Sequence, residues 1–335
     1  MSTTAVAPAN IAFIKYWGVQ DTARILPYNG SISMNLDRCL TTTTVTFDET
    51  LTEDEVTLTL YGQRPQAAVG MQRTRVTAHL DRLRELAGVA TRAQVVSENN
   101  FPSDAGIASS AAGFAALTVA TAGALGLDAD ERALTRLARL SGSGSAARSV
   151  PGGYVEWCIP AGPFEAERWD HESYAFSIAP PEHWALADVV AVVDAGAKKI
   201  GSAENHKLAT SSPYFGVRLS EIATRLAATR SAIAARDLTL LGEMTEADHI
   251  SMHAVCMTSR PASFYWAAGT MQVIHAVREW RSQGLEAYHT TDAGPNVHVV
   301  CAVRDMVEIT RRLGELPLVQ FTIANTVGAS ARIIG

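Results

Sequence analysis

Two kinds of hydrophobic pattern alternate along this chain. Segments 5–14 and 31–48 read as strands, and the second carries the β-branched run Thr41–Thr46 before Phe47. A further strand is predicted near 55–61. Over 69–88, Val76, Leu80, Leu83 and Leu86 fall on one helical face. A strand near 93–97 then leads through a loop of small residues into an Ala-rich helix over 108–125. Helices near 129–140 and 144–149 and a strand at 153–158 follow, and the Pro-, Glu- and aromatic-rich stretch 160–182 reads as a connection between domains. The second half opens on an apolar strand, 184–193. Helices are predicted at 212–234, 237–255 and 262–283, strands at 286–290 and 296–302, a helix at 304–313, and strands near 318–323 and 329–334. Strands and helices mix without strict βαβ alternation, which favours α+β over a doubly wound parallel sheet. No internal repeat is visible.

With 335 residues the chain is long enough for two ordinary domains, expected at 1–183 and 184–335. A hydrophobic content of 47% against 19% charged residues indicates a well-buried core. No apolar run is long enough to span a membrane, and residues 1–8 lack the charged start and apolar centre of a signal peptide. The four cysteines are widely spaced with no CxxC, so neither zinc nor a disulfide framework is indicated and a reduced cytoplasm is expected. A net charge of −6 without a basic run argues against nucleic acid as a partner. An anionic small substrate stays open if a few cations are focused in one cleft. No GxSxG, HExxH or GxxxxGK[ST] occurs, so the hydrolase, zincin and P-loop readings lose their main support. His249 and His253 lie one helical turn apart, but without a third ligand a packing or surface role is the better reading.

Several segments can carry chemistry. Phe101–Gly113 is a loop of small residues running into a helix that begins near Ser109 and Ser110. A helix N-terminus has unpaired N–H groups and partial positive charge, which suit phosphate; a plain Ser-capped core helix fits equally well. Lys15 closes an apolar strand before Tyr16 and Trp17; it either snorkels to solvent or faces an anion or carboxylate in a cleft. Ser141–Ser149 offers hydroxyls, flexible backbone and Arg148, whose guanidinium grips carboxylate or phosphate. Asp292 lies in the turn-like segment Thr290–Asn296, and Lys198 and Lys199 follow a strand.

Together these segments resemble the mevalonate diphosphate decarboxylase family of the GHMP small-molecule kinase superfamily. The matching pieces are Asn10–Gly18 (NIAFIKYWG), Leu26–Asn29 (LPYN), Ser31–Ser33 and Thr41–Thr44. They continue with Ser97–Gly113, Gly142–Ser149 (GSGSAARS), Gly152–Trp157 (GGYVEW) and Asp292–Asn296 (DAGPN), in family order along nearly the whole chain. The resemblance implies an α+β, two-domain GHMP-kinase fold with an active-site cleft between the domains, ATP and Mg²⁺ as cosubstrates, a phosphorylated mevalonate as substrate, and a homodimer. By the same resemblance, Ser103, Gly106, Ala108, Ser109 and Ser110 wrap the triphosphate, Ser109 and Ser110 meet the metal, and Ser97 and Asn99 lie towards the nucleoside. Asp292 sits by the substrate's C3 hydroxyl, Lys15 pairs with Asp292 and the phosphoryl group, Arg148 holds the C1 carboxylate, and Tyr16, Ser143, Gly144 and Ser145 line the phosphate end.

Two departures bear on the substrate. Where the family continues Lys-Tyr-Trp-Gly with lysine, this chain has Val19 and Gln20. An arginine that diphosphate-using members carry after the segment 198–202 is also missing, the corresponding position being assigned to Thr210. Each absent charge-assisted contact is worth roughly 1.5–3 kcal/mol. The expectation is therefore the mevalonate 5-phosphate decarboxylase branch, giving isopentenyl phosphate. The diphosphate enzyme is the alternative, and a mevalonate 3-kinase or a non-catalytic metabolite-binding relative fits less well because Lys15, Arg148, Asp292 and the loop serines are retained.

Overall fold

The computed structural model describes residues 1–102, 107, 109–194 and 202–335. The first half contains strands β1 (Ser2–Ile14), β2 (Val19–Asp21), β3 (Leu26–Pro27), β4 (Ser31–Asp48), β5 (Glu55–Thr59) and β6 (Gln66–Ala67), then helix α1 (Gly70–Ala87), β7 (Arg92–Asn99), α2 (Ser109–Leu125) and α3 (Glu131–Arg139). After them come β8 (Tyr154–Trp157), α4 (Ala166–Glu172) and β9 (Ala175–Ala179). The second half holds β10 (Leu186–Val192), α5 (Ser202–Leu208), α6 (Phe215–Ala235), α7 (Leu238–Thr258), α8 (Ala268–Ser282), β11 (Ala287–Thr290), β12 (Val297–Ala302), α9 (Met306–Gly314), β13 (Phe321–Thr326) and β14 (Arg332–Ile333).

The first sheet runs β14-β1-β4-β7-β5-β6, with β8 and β9 joined at the far end of β4. Among the described strands only β5 and β7 pair in parallel. The long strand β4 shows the period of two that its threonines lead one to expect. Thr41, Thr43 and Val45 point into the core while Thr42, Thr44 and Thr46 are part-exposed. Hydroxyl ladders stitch it to its neighbours, Thr4 to Thr44 (2.9 Å) and Thr43 to Ser97 (2.8 Å). The Ala-rich helix α2 lies on β1 and β4, where its small side chains allow close approach.

The second sheet, β11-β12-β10-β13, is antiparallel throughout. Helices α8 and α9 cover one face through Val273, Val277, Trp280, Ile309 and Leu313. A separate core joins both halves: Phe13, Ile32 and Leu36 of the first sheet pack with Ile222, Leu241, Tyr288 and Val300. Asp237 caps α7 by accepting from the Leu240 N–H at 2.9 Å.

Local pattern and structure part company in three places. The stretch 160–182 is not only a connection: it contains α4 and β9, and β9 pairs with β8 in the first sheet. Its Pro and Glu content masked a strand whose partner lies elsewhere in the chain. The helix expected from 262 begins at Ala268, because Ser259 to Ala267 fold as a loop around Pro261. Residues 144–149 form a 3₁₀ turn. The C-terminus also returns to the first sheet, where β14 pairs with β1, and Asp37 accepts from both the N–H (2.7 Å) and hydroxyl (2.8 Å) of Thr326. No helix among the described residues is long and apolar enough to cross a membrane.

A Cβ added to Gly242 of α7 would lie 2.0 Å from Cγ of Tyr288 on β11. In an exposed helix Gly→Ala gains about 1 kcal/mol. Here overpacking of about 1–3 kcal/mol should win, so Gly242→Ala should lower Tm in thermal unfolding, whereas a rise would show that α7 and β11 are not in this contact.

Candidate active site

The centre of the cleft is an ion pair joining the two sheets, buried at Lys15 and part-exposed at Asp292. Lys15 follows β1 and is 2% exposed. Its Nζ donates to Asp292 Oδ1 (2.6 Å) and to the Ala12 carbonyl (2.7 Å). Asp292 lies in the turn between β11 and β12, closed by Gly294 N–H donating to the Asp292 carbonyl at 2.8 Å. Burial opposes ionisation of Asp292, but Lys15, His298 and Arg148 outweigh it and hold the carboxyl below its usual range. Burial also lowers the Lys15 ammonium, only partly offset by Asp292 and Asp248. His298 is one of the charges facing Asp292. Burial would depress it, yet Asp188, 2.9 Å from its Nδ1, raises it.

Arg148 stands beside this pair in the 3₁₀ turn Gly144–Ser149. It is 3% exposed, and its Nη atoms donate only to neutral groups, Ser31 Oγ (2.6 Å) and Asn10 Oδ1 (3.1 Å). Its Nε has no hydrogen-bond partner, and among the described residues no carboxylate lies within ion-pair reach. Burial lowers its pKa to about 10, with Asp292 working the other way. An unmatched buried cation is costly to a fold. An anion arriving in the cleft would match it.

Two cavities meet here. One, of about 340 Å³, is lined by Tyr16, Val19, Thr22, Ile25, Arg75, Ser110, Gly142, Ser143, Gly144, Ser145, Ala203, His206 and Lys207. Tyr16 stacks on His206 with ring centroids 4.1 Å apart, and Gly18 N–H donates to His206 Nδ1 at 3.1 Å. Gly144 is required by contact. A Cβ there would lie 2.8 Å from Trp157 and 2.9 Å from Tyr16. The second cavity, of about 260 Å³, lies between β5, β7, α1 and α2, and its lining includes Thr43, Leu58, Arg75, Ser97, Asn99, Ser109, Ser110, Gly113 and Phe114. Arg75 and Ser110 line both, and Ser110 Oγ is 3.1 Å from Ser143 Oγ. A phosphoryl donor in one cavity and an acceptor in the other would therefore meet at the N-terminus of α2.

The structure thus gathers Lys15, Asp292 and Arg148 at one centre, Tyr16, Ser143, Gly144 and Ser145 on one cavity wall, and Ser97, Asn99, Ser109 and Ser110 on the other. Ser103, Gly106 and Ala108 lie outside the described residues, as do Lys198 and Lys199. His249 and His253 are buried behind Asp292, and no metal-binding group of three or more His, Cys, Asp or Glu occurs among the described residues. Thr210 does not line the cavity. The face that α5 turns to it is Ala203, His206 and Lys207, at helical spacing. Sequence reasoning passed over Arg75, which sits among the apolar positions of α1, and over His206. Neither belongs to a motif that would have marked it.

Two cavities that share Arg75 and Ser110 thus lie near a Lys–Asp pair that joins the two sheets of an α+β chain. Comparison with known proteins gives the family. Residues 7–170 match the diphosphomevalonate decarboxylase-like N-terminal domain, and 188–328 the mevalonate 5-diphosphate decarboxylase C-terminal domain. Diphosphomevalonate decarboxylase of Candida albicans is 37% identical over 88% of this chain and 83% of its own. The human enzyme is 34% identical over 91% and 78%. Mevalonate diphosphate decarboxylase of Staphylococcus aureus superposes with a TM-score of 0.89 at 34% identity, covering all of this chain and 98% of that one. MDDEF in complex with MVAPP, AMPPCP and magnesium gives 0.89 at 34%, covering all of this chain and 99% of that one. The chain belongs to the diphosphomevalonate decarboxylase family.

Burial keeps His206 and His253 down at about 3 and His289 at about 4, with His249 also well below 6.5. Imidazole NMR should therefore find these four rings neutral across about pH 5–8, where a free histidine titrates. The Lys15 amine should deprotonate below 10.5. A midpoint near 6.5 for any of these rings would contradict the closed packing around the centre.

Proposed function

We propose that this chain catalyses the ATP-dependent decarboxylation of mevalonate 5-diphosphate to isopentenyl diphosphate, with release of ADP, phosphate and CO₂. The observation that carries the chemistry is the unmatched Arg148 guanidinium beside the Lys15–Asp292 pair. It offers a carboxylate a buried anchor next to a carboxylate base. Asp292 accepts a hydrogen bond from the substrate's C3 hydroxyl and takes its proton as the oxygen attacks the γ-phosphorus. Lys15 and the first-turn N–H groups of α2 offset charge on the phosphoryl group in transit. The C3–O bond then breaks with phosphate leaving. Positive charge grows at C3 beside Asp292, and the C1–C2 electron pair forms the C2–C3 double bond as CO₂ departs.

The residues present fit Mg²⁺–ATP. Ser109 and Ser110 open a 17-residue helix and line the nucleotide-side cavity, and hydroxyl oxygens suit a hard cation held by phosphates. When bound, the ion would neutralise phosphate charge and align the γ-phosphoryl group. We carry over a homodimer as part of the same reading.

The choice of diphosphate rests on two supports. The named relatives are diphosphate enzymes, and relatives using a monophosphate are not distinguished among them. Lys207 and Arg75 also line the cavity beside Ser143–Ser145, and they offer cations where Val19 offers none. The 5-phosphate reading drawn from Val19 and Thr210 becomes the second one. Val19, Thr22, Ile25 and Ala203 still give that cavity an uncharged stretch of wall in its favour.

ATP-dependent CO₂ release measured with each substrate separates the two readings. A higher kcat/KM for the diphosphate is expected. Lys207→Met should then lower kcat/KM for the diphosphate about tenfold, the low end of a charge-assisted contact because the lysine is exposed, and leave the monophosphate less affected. A strong monophosphate preference would install the second reading. Asp292→Asn should cost ~10²–10⁴-fold in kcat; ADP formation without CO₂ in the unmodified protein would instead indicate a 3-kinase.

A further inference from the structure

Asp248 and His249 are successive, fully buried residues in the middle of α7. Neither lines the cavities, yet each ends one step from the central ion pair. Asp248 Oδ2 accepts the Lys15 backbone N–H at 2.7 Å. Arg218, bound to both Asp248 oxygens at 3.0 and 3.1 Å, donates in turn to the Lys15 carbonyl at 3.0 Å. Asn29 donates to that same carbonyl at 2.9 Å. The Lys15 peptide is thus held on both its polar atoms from α6, α7 and the Leu26–Asn29 segment.

His249 reaches the other partner. Its Nδ1 is 3.2 Å from Thr291 Oγ1, on the residue preceding Asp292. Thr291 Oγ1 also meets His253 Nε2 (2.7 Å) and Trp266 Nε1 (3.1 Å). On the far side, His249 Nε2 is 3.0 Å from His289 Nδ1, and His289 Nε2 is 3.3 Å from Glu246, which Arg281 grips at 2.8 and 3.0 Å. Counting protons fixes the direction of this chain. Trp266 can only donate and the Glu246 carboxylate can only accept. With the Glu246 carboxylate 3.3 Å from His289 Nε2, the tautomer carrying its proton there is favoured; His249 then donates from Nε2 to His289, and Thr291 donates its one hydroxyl proton to His249. Thr291 then accepts from Trp266 and His253. In this order the contacts at Thr291 Oγ1 and between His249 and His289 each hold one proton with all three rings neutral, in keeping with their depressed basicity. The reverse order would set a ring lone pair against the Glu246 carboxylate.

We propose that Asp248 and His249 are positioning residues for the catalytic pair: Asp248 sets the Lys15 peptide, and the one-way chain from Thr291 through His249 and His289 to Glu246 sets the Asp292 turn. The inference rests on the reading of Lys15 and Asp292 as the catalytic centre. Two groups that must stay within hydrogen-bond reach come from opposite sheets, and one helix turn indexes both.

Thr291→Val keeps the shape and removes the hydroxyl; Thr291→Ser keeps the hydroxyl. For decarboxylation, Thr291→Val should lose about 10- to 100-fold in kcat, with KM for ATP and for the phosphorylated mevalonate within about threefold of wild type. Its acid limb in kcat/KM should move to higher pH, because Asp292 would be held less firmly against Lys15, with Arg148 and His298 its other facing charges. Thr291→Ser should recover most of the rate. Glu246→Gln, far from substrate, should shift kcat in the same direction and by less, and it decides the matter if Thr291→Val does not fold. An unchanged kcat and pH profile in Thr291→Val, equal impairment of the Val and Ser variants, or an unaffected Glu246→Gln would overturn the proposal. Asp292→Asn run in parallel separates the two levels. Full activity there would sink the catalytic reading itself, whereas loss there with a normal Thr291→Val would sink only the positioning role.

Discussion

The Lys15–Asp292 contact sets the terms for the rest of this structure. Its two residues are 277 positions apart and belong to different sheets, so the pair exists only when the halves of the chain are docked. Each member is poorly tolerated alone in a buried place, since an unpaired charge there is strongly destabilising. The surrounding architecture answers that requirement. Core packing between the first sheet, α6, α7 and the second sheet brings the strand ends together, and the buried Arg218–Asp248 pair anchors the lysine peptide from below.

Around that pair the electrostatics are deliberately unequal. Asp292 is matched by Lys15, and Asp248 by Arg218 and Arg225, but Arg148 is bound only by neutral side chains and retains an unpartnered Nε. Among the described residues, Arg148 is thus a buried positive charge left for a ligand to satisfy. Four of the nearby histidines, His206, His249, His253 and His289, are held neutral by burial and serve as fixed donors and acceptors, whereas Asp188 keeps His298 basic beside Asp292. The field at the centre is set by Lys15, Arg148, Asp292 and the basic His298, with Arg75 and Lys207 further out on the cavity wall.

The two cavities share a wall at Ser110 and Arg75, which would give the proposed phosphoryl transfer a short path. Gly144 leaves room for Tyr16 and Trp157, since a Cβ there would lie 2.8 Å from the Trp157 ring and 2.9 Å from the Tyr16 ring. In the proposed function, specificity for the substrate's phosphate rests on which side chains of α5 turn inward. Helical spacing puts Lys207 there with His206 and Ala203, and leaves Thr210 outside.

Much of the framework was legible in the chain itself. The Thr-rich alternation of β4, the Ala-rich α2 after a loop of small residues, and the α+β class follow from side-chain periodicity, which is a local property. The ordered segments around Lys15, Ser109, Arg148 and Asp292 also marked the family through resemblance. What residues 10, 31 and 148 do for one another, and why Asp248 and Thr291 matter, could not be read that way. Hydrogen bonds such as Arg148 to Asn10, 138 positions apart, leave no periodic trace along a sequence. The strand β9 was hidden for the same reason, since a strand with poor local propensity is made by its neighbour β8. Arg75 carried no signal of its own beside the apolar face of α1, and only the fold places it on the wall of two cavities. Local propensity determined the elements; only their docking, driven by burial of apolar faces from distant segments, decided which polar groups meet without water between them.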